Sequence, residues 1–220
     1  MTVPIQRQHK EGRHSLRSSE ILPFFDAIFA VAFTLLAYSV PERLMAGLGG
    51  VGYLTLSIST FVLNGITVLL SWFKLRRLLV ICRLLHASQL VIILVSMVTI
   101  VVLPKLSALS LFYGNGEGNL FAWSPSQVVN MVFLGVLFLF DGFCLLFALS
   151  LRQHRPRQSH TTKELDTAIE AQLLGFGGLL ILAAMELLFT WFNNEYVLLV
   201  PLILLVEEVL VARRFAALSR

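Results

Sequence analysis

The sequence predicts an all-α integral membrane protein with six transmembrane helices and both termini cytoplasmic, and three observations carry that expectation. Of the 220 residues, 57% are hydrophobic and only 14% charged, where an ordinary soluble domain is about 25% charged; the mean hydropathy is +0.81. Six apolar runs approach the length of about 20 residues that a hydrocarbon core about 30 Å thick demands of a helix. The basic residues, finally, gather on one side of those runs.

Residues 1–22 form a basic arm in which Arg7, Lys10, Arg13 and Arg17 stand among polar neighbours. The arm is too long and too charged for a signal peptide, and it reads as a cytoplasmic segment that orients the first helix rather than as a nucleic-acid-binding tail. The first predicted helix runs from Pro23 to Val40, with proline at its first position and Asp26 in its first turn, where the positive helix end favours an anion. At 100° per residue Val31, Thr34, Leu35 and Tyr38 fall within about 60° of one direction, and Phe24, Ala27 and Ile28 extend the stripe. Asp26 lies nearly opposite and needs a partner inside the protein, for which Arg17, Arg76 and Arg77 are basic candidates.

The second and third helices are expected over Gly50 to Phe73 and Leu84 to Leu103, joined by an inner loop carrying Lys74, Arg76, Arg77 and Arg83. The fourth follows over Gln127 to Ser150. An inner loop with Arg152, Arg155, Arg157 and Lys163 leads to the fifth, Ala168 to Phe192, whose start the pattern Thr161-Thr162-Lys163-Glu164 would extend and cap. The sixth spans Tyr196 to Ala212, and a tail, 213–220, adds Arg213, Arg214 and Arg220. Fifteen of the seventeen Lys and Arg lie on this side, with Arg43 and Lys105 opposite. The bias makes it the cytoplasmic side, and six crossings return the chain to it. Residues 23–212 therefore form one membrane domain, with no separate water-soluble domain expected. The outer connections, at Gly47 to Gly50, Tyr113 to Asn119 and Asn193 to Glu195, are short and turn-rich. Trp72, Trp123 and Trp191 stand near helix ends, as interfacial anchors do.

An acid in hydrocarbon costs about 2.5–3.5 kcal/mol on insertion scales, so each one is informative. Glu170, Glu207 and Glu208 lie near inner helix ends and are expected to reach the interface. Asp141 and Glu186 sit deeper, either as partners of polar groups such as Asn64 or Gln89 or as proton-accessible groups of a secondary transporter. The histidines show no metal-ligand spacing, and Cys82 and Cys144 are expected as free, buried thiols. Nucleophile-elbow, P-loop and dinucleotide patterns are missing, and Gly175-Phe176-Gly177-Gly178 reads as a site of close helix packing. No enzyme activity, cofactor or metal is expected.

Phe24-Phe25-Asp26-Ala27, followed by Ile28-Phe29-Ala30-Val31-Ala32-Phe33-Thr34-Leu35-Leu36, resembles the first-helix signature of the endolysosomal potassium channel family, transmembrane protein 175, and its bacterial relatives. That signature is R-x-x-x-F-S-D followed by an apolar, Thr-containing helix. Ser59-Thr60-Phe61, Trp72 and Leu103-Pro104 continue the match over roughly the first half of the chain. Three positions depart from it: Glu20 stands where the family has its arginine, Phe25 replaces the serine, and Leu75 replaces the histidine three after the tryptophan. The resemblance implies a potassium-permeable cation channel of the bacterial single-repeat type, a homotetramer in a prokaryotic plasma membrane, with lipid and potassium as its partners. It implies that the first helix lines the pore, with Val31 at an apolar constriction, Thr34 on a hydroxyl layer, and Leu35 and Tyr38 farther out. It also implies a structural network around Glu20, Phe24, Phe25, Asp26 and Trp72. The sequence lacks a Thr-Val-Gly-Tyr-Gly filter. The alternative from a different class is a proton- or ion-coupled transporter using Asp141 and Glu186.

The charge bias makes a direct prediction. In a background lacking Cys82 and Cys144, cysteines placed at Asn115 and Asn194 should be labelled by an impermeant reagent outside intact cells, and one at Ser159 should not; labelling at Ser159 would overturn the orientation.

Overall fold

Backbone polar groups in hydrocarbon must be satisfied within their own segment, so long apolar runs of this kind form helices. The computed structural model describes residues 16–37, 50–82, 84–112, 124–153, 160–188 and 199–218. Among these residues six helices form: α1 (Ser18–Ala37), α2 (Gly50–Ile81), α3 (Ala87–Phe112), α4 (Pro125–Gln153), α5 (His160–Leu188) and α6 (Val200–Leu218). Four of them, α1, α3, α4 and α5, contain stretches long and apolar enough to cross a membrane.

Several helices start or end elsewhere than the sequence suggested. Helix α1 begins at Ser18, so Pro23 lies inside it and Glu20, not Asp26, occupies the first turn. Pro23 withholds one N–H from the helix ladder, a loss tolerated near a helix start. Helix α2 has 32 residues and is about 48 Å long at 1.5 Å per residue. Lys74, Arg76 and Arg77 are therefore helical rather than in a loop, because Leu78 and Leu79 beyond them are buried and hold the last turns against the bundle. Pro104 lies inside α3, and α5 starts eight residues before Ala168, in the polar segment with the capping pattern. Outside the helices, Leu16–Arg17 (β1) and Leu84–Leu85 (β2) pair antiparallel, tying the start of α1 to the α2–α3 connection. Nothing in those four residues announced a strand. The outer connections, residues 154–159, Arg83, Trp123 and Trp191 lie outside the described residues.

Helix α2 is the hub, packing against each of the other five; α3, α4, α5 and α6 form a chain of neighbours around it, and α1 packs on α2 and α3. Helix α1 divides sharply. Phe25, Phe29, Ala32 and Leu36, at spacings of four, three and four, are buried. Phe24, Ala27, Val31, Thr34 and Leu35 are exposed on the other face, and Ile28, expected with them, is half-buried against the core. Both Cys82 and Cys144 are free and buried.

The division of α1 predicts opposite outcomes for adjacent residues. Phe25 is fully buried and Phe24 is 57% exposed. Phe25→Ala should open a cavity of the kind that costs about 3–5 kcal/mol and should lower the melting temperature of the purified protein by several degrees, whereas Phe24→Ala should leave it within experimental error; equal effects would contradict the assignment of faces.

Candidate functional site

The exposed stripe of α1 and the buried charges behind it are separate constructions. On the stripe, Val31 is 55% and Leu35 46% exposed. Thr34, one turn from Val31, is also exposed, and its Oγ1 donates to the Ala30 carbonyl at 2.9 Å. That bond engages the hydroxyl proton and turns the oxygen lone pairs away from the helix. Tyr38 lies outside the described residues.

Behind the stripe, Asp26 accepts a hydrogen bond from Trp72 Nε1 at 2.9 Å. The partner of Asp26 is thus a neutral indole rather than one of the arginines. Trp72 lies inside α2 rather than at its end, half-buried between Phe29 and Phe73, with ring centroids 6.2 and 4.7 Å away. Arg76 stacks on it instead of reaching Asp26, its guanidinium carbon 4.7 Å from the ring centroid. A cation over an indole face is worth about 0.5–1 kcal/mol at an exposed site and more where water is excluded. Of the other motif positions, Phe25 packs edge-on against Phe29 at 4.8 Å, Phe24 faces outward, and Glu20 is exposed on the first turn of α1.

The second construction centres on Lys74. Its ammonium lies 2.8 Å from Asp141 Oδ1 of α4 and 2.8 Å from Glu207 Oε2 of α6, and all three side chains are at most 2% exposed. One nitrogen therefore joins the hub helix to two others. Helix α5 completes the site by omission: a Cβ on Gly175 would lie 2.2 Å from Glu207 Oε2, and one on Gly178 would lie 2.9 Å from Ile203 Cγ2. The glycines thus serve close packing, and at Gly175 the space is taken by a carboxylate.

Glu207, expected at the interface, is instead buried, and Asp141 pairs with neither Asn64 nor Gln89. Gln89 joins Ser150 and the His86 N–H. The reason is the length of α2, which carries Lys74 into the bundle where the sequence suggested a loop. Glu208 and Glu170 do keep to the periphery, bonded to Arg77 and Arg214 respectively, and Arg152 lies 3.2 Å from Asp166. The Glu186 side chain lies outside the described residues. No group of three or more metal-ligating side chains exists among the described residues.

Compared with solved structures, the chain is similar to the crystal structure of a lysosomal potassium-selective channel TMEM175 homologue from Chamaesiphon minutus, with a TM-score of 0.66 and 18% identity over 89% of this chain and 97% of that one. At this identity the likeness is one of fold, and it falls on the same family as the first-helix signature. No protein-family profile and no curated protein matches the sequence.

Removing the shared cation predicts a large and conditional loss. Lys74→Met leaves two carboxylates buried without a counter-charge, a change that costs about 3–5 kcal/mol when a buried pair is broken; the yield of folded protein should collapse and recover when Asp141→Asn and Glu207→Gln are added. Gly175→Ala should also destabilise, and its cost should shrink in a Glu207→Ala background, where the clashing carboxylate is gone. Additive melting-temperature changes for that last pair would contradict the contact.

Proposed function

We propose that this chain is one subunit of a potassium-permeable cation channel of the TMEM175 type, a homotetramer in the cell membrane with α1 lining the central pore. In this reading Val31 forms the apolar constriction, Thr34 the hydroxyl layer beside it, and Leu35 and Tyr38 line the pore beyond, with no backbone-carbonyl filter. All six helices cross the membrane, and the basic bias puts both termini in the cytoplasm. The observation that carries the reading is the unpartnered face of α1, on which Val31, Thr34 and Leu35 stand exposed while Phe25, Phe29, Ala32 and Leu36 anchor the opposite face. The likeness to a potassium-selective channel homologue supports a channel, and the first-helix signature supports giving that face to a pore rather than to lipid.

The two key side chains act differently. Valine methyls around a narrow axis obstruct a hydrated ion by size and dewetting, whereas hydroxyl oxygens replace part of its hydration shell. Thr34 suits the second role because its proton is already donated to Ala30, which leaves the oxygen free to accept a cation. Passive flux that reverses with the gradient distinguishes this reading from an exchanger working through Asp141 and Glu186, which would require a counter-ion.

Mutation should separate the two roles. Val31→Ala should raise conductance severalfold with little change in ion preference. Thr34→Val, which keeps the shape and removes the hydroxyl, should lower the potassium-to-sodium permeability ratio measured by reversal potential in a planar bilayer. An unchanged ratio would remove Thr34 from selectivity, and absence of any flux from wild-type protein in liposomes would sink the channel reading.

A further inference from the structure

The charges around Lys74 do not sum to zero. One ammonium faces two carboxylates, each 2.8 Å away, in a region where none of the three side chains is more than 2% exposed. An uncompensated charge in such a place is among the most costly features a protein interior can hold. Asp141 Oδ2, moreover, is buried without a hydrogen-bond partner. We propose that the Lys74–Asp141–Glu207 cluster is a proton-binding site, holding one exchangeable proton on its pair of carboxylates inside the subunit, apart from the α1 stripe.

Among the described residues, the other ion pairs around the cluster use different carboxylates. On α2, Arg77 lies one turn beyond Lys74 and bonds to Glu208 of α6. Helix α4 adds the buried thiol of Cys144, one turn from Asp141. Helix α5 presents Gly175; of its described charges Asp166 and Glu170 pair with Arg152 and Arg214, Lys163 is exposed and Glu164 is half-buried near the helix start. On α1, Asp26 is held by Trp72 and Glu20 is exposed; beside and within α3, His86 and Lys105 are exposed.

A proton fits where a metal ion does not. The ammonium already stands between the two carboxylates, and Glu207 fills the volume that a Cβ on Gly175 would need. A proton taken from water converts one carboxylate to a neutral acid and needs no added volume. The two bonded oxygens lie no farther apart than twice their distance to Nζ, close enough for ionisation of one to oppose ionisation of the other. On release of the proton, the junction of α2, α4 and α6 regains a net negative charge and loosens.

The sign of the pH dependence follows. A proton held by the folded cluster and given up on unfolding makes stability fall as pH rises, about tenfold in the folded-to-unfolded ratio per pH unit, until the proton is released. The test is an infrared pH titration of the purified full-length protein in detergent, paired with melting temperatures and independent of any conduction assay. The expected result is a protonated-carboxyl carbonyl stretch at neutral pH that disappears at higher pH, is lost in both Glu207→Gln and Asp141→Asn, and accompanies a melting temperature that falls with pH in wild type but stays flat in Glu207→Gln. The proposal is overturned by a wild-type protein with no such band at neutral pH, by a band that survives both substitutions, or by a melting temperature that responds to sodium or potassium at fixed pH and not to pH itself. Should one variant fail to assemble, the other carries the comparison; should both fail, the presence or absence of the wild-type band decides.

Discussion

The fold depends on a single ammonium group buried among three helices. Lys74 stands on α2, the helix that touches each of the other five, and it binds α4 through Asp141 and α6 through Glu207. Apolar contacts alone distinguish poorly between neighbouring helix registers, because lipid tails are as apolar as leucine and no hydrophobic force drives helix to helix. A buried ion cluster distinguishes well. Sliding α6 by one turn would move Glu207 about 5.4 Å, stranding its carboxylate and leaving Lys74 with Asp141 alone. The same slide would take the carboxylate away from Gly175, the one residue whose lack of a side chain makes room for it. Charge and glycine thus specify the same register from two sides.

With the register of α2, α4, α5 and α6 fixed in this way, α1 is left free to serve another purpose. It packs on α2 and α3 through phenylalanine, alanine and leucine, and its link to the ion cluster is indirect, through Trp72, two residues from Lys74 on the same helix. The outward face of α1 carries no partner of the buried charges. A surface built this way can change its chemistry without disturbing the fold, which suits the pore-lining role proposed for it.

Much of the fold was legible because hydropathy dominates in a chain this apolar. The six helices, the two-faced character of α1 and the packing role of Gly175 and Gly178 follow from period and composition. The junction at Lys74 was not legible, for a specific reason. A lysine followed at once by arginines, at the end of an apolar run, has the composition of an inner loop, and only the burial of Leu78 and Leu79 past it reveals that the helix continues inside the bundle. Glu207 was misjudged for the same cause: beside Glu208 and near Arg213 it resembles an interfacial acid, and adjacent residues on a helix face different ways. The pairing of Asp26 with Trp72 was missed because a carboxylate suggests a basic partner, while an indole N–H satisfies it without adding a charge.

That neutral pairing also accounts for the departures from the first-helix signature. Where the family pattern places a serine and a histidine, this chain has Phe25 and Leu75, and both are fully buried in the apolar core. Where the pattern places an arginine, Glu20 lies exposed at the start of α1. At these positions this chain has, in place of the signature's polar residues, an aromatic and aliphatic contact in which Phe25 meets Phe29 and Phe29 meets Trp72. Asp26 is satisfied by Trp72, and Arg76 lies over the face of the indole ring, where its charge reinforces the donor. Restoring the arginine at position 20 alone would place a charge on an exposed turn with its serine and histidine counterparts missing, so recovery of the polar network requires all three positions to change at once.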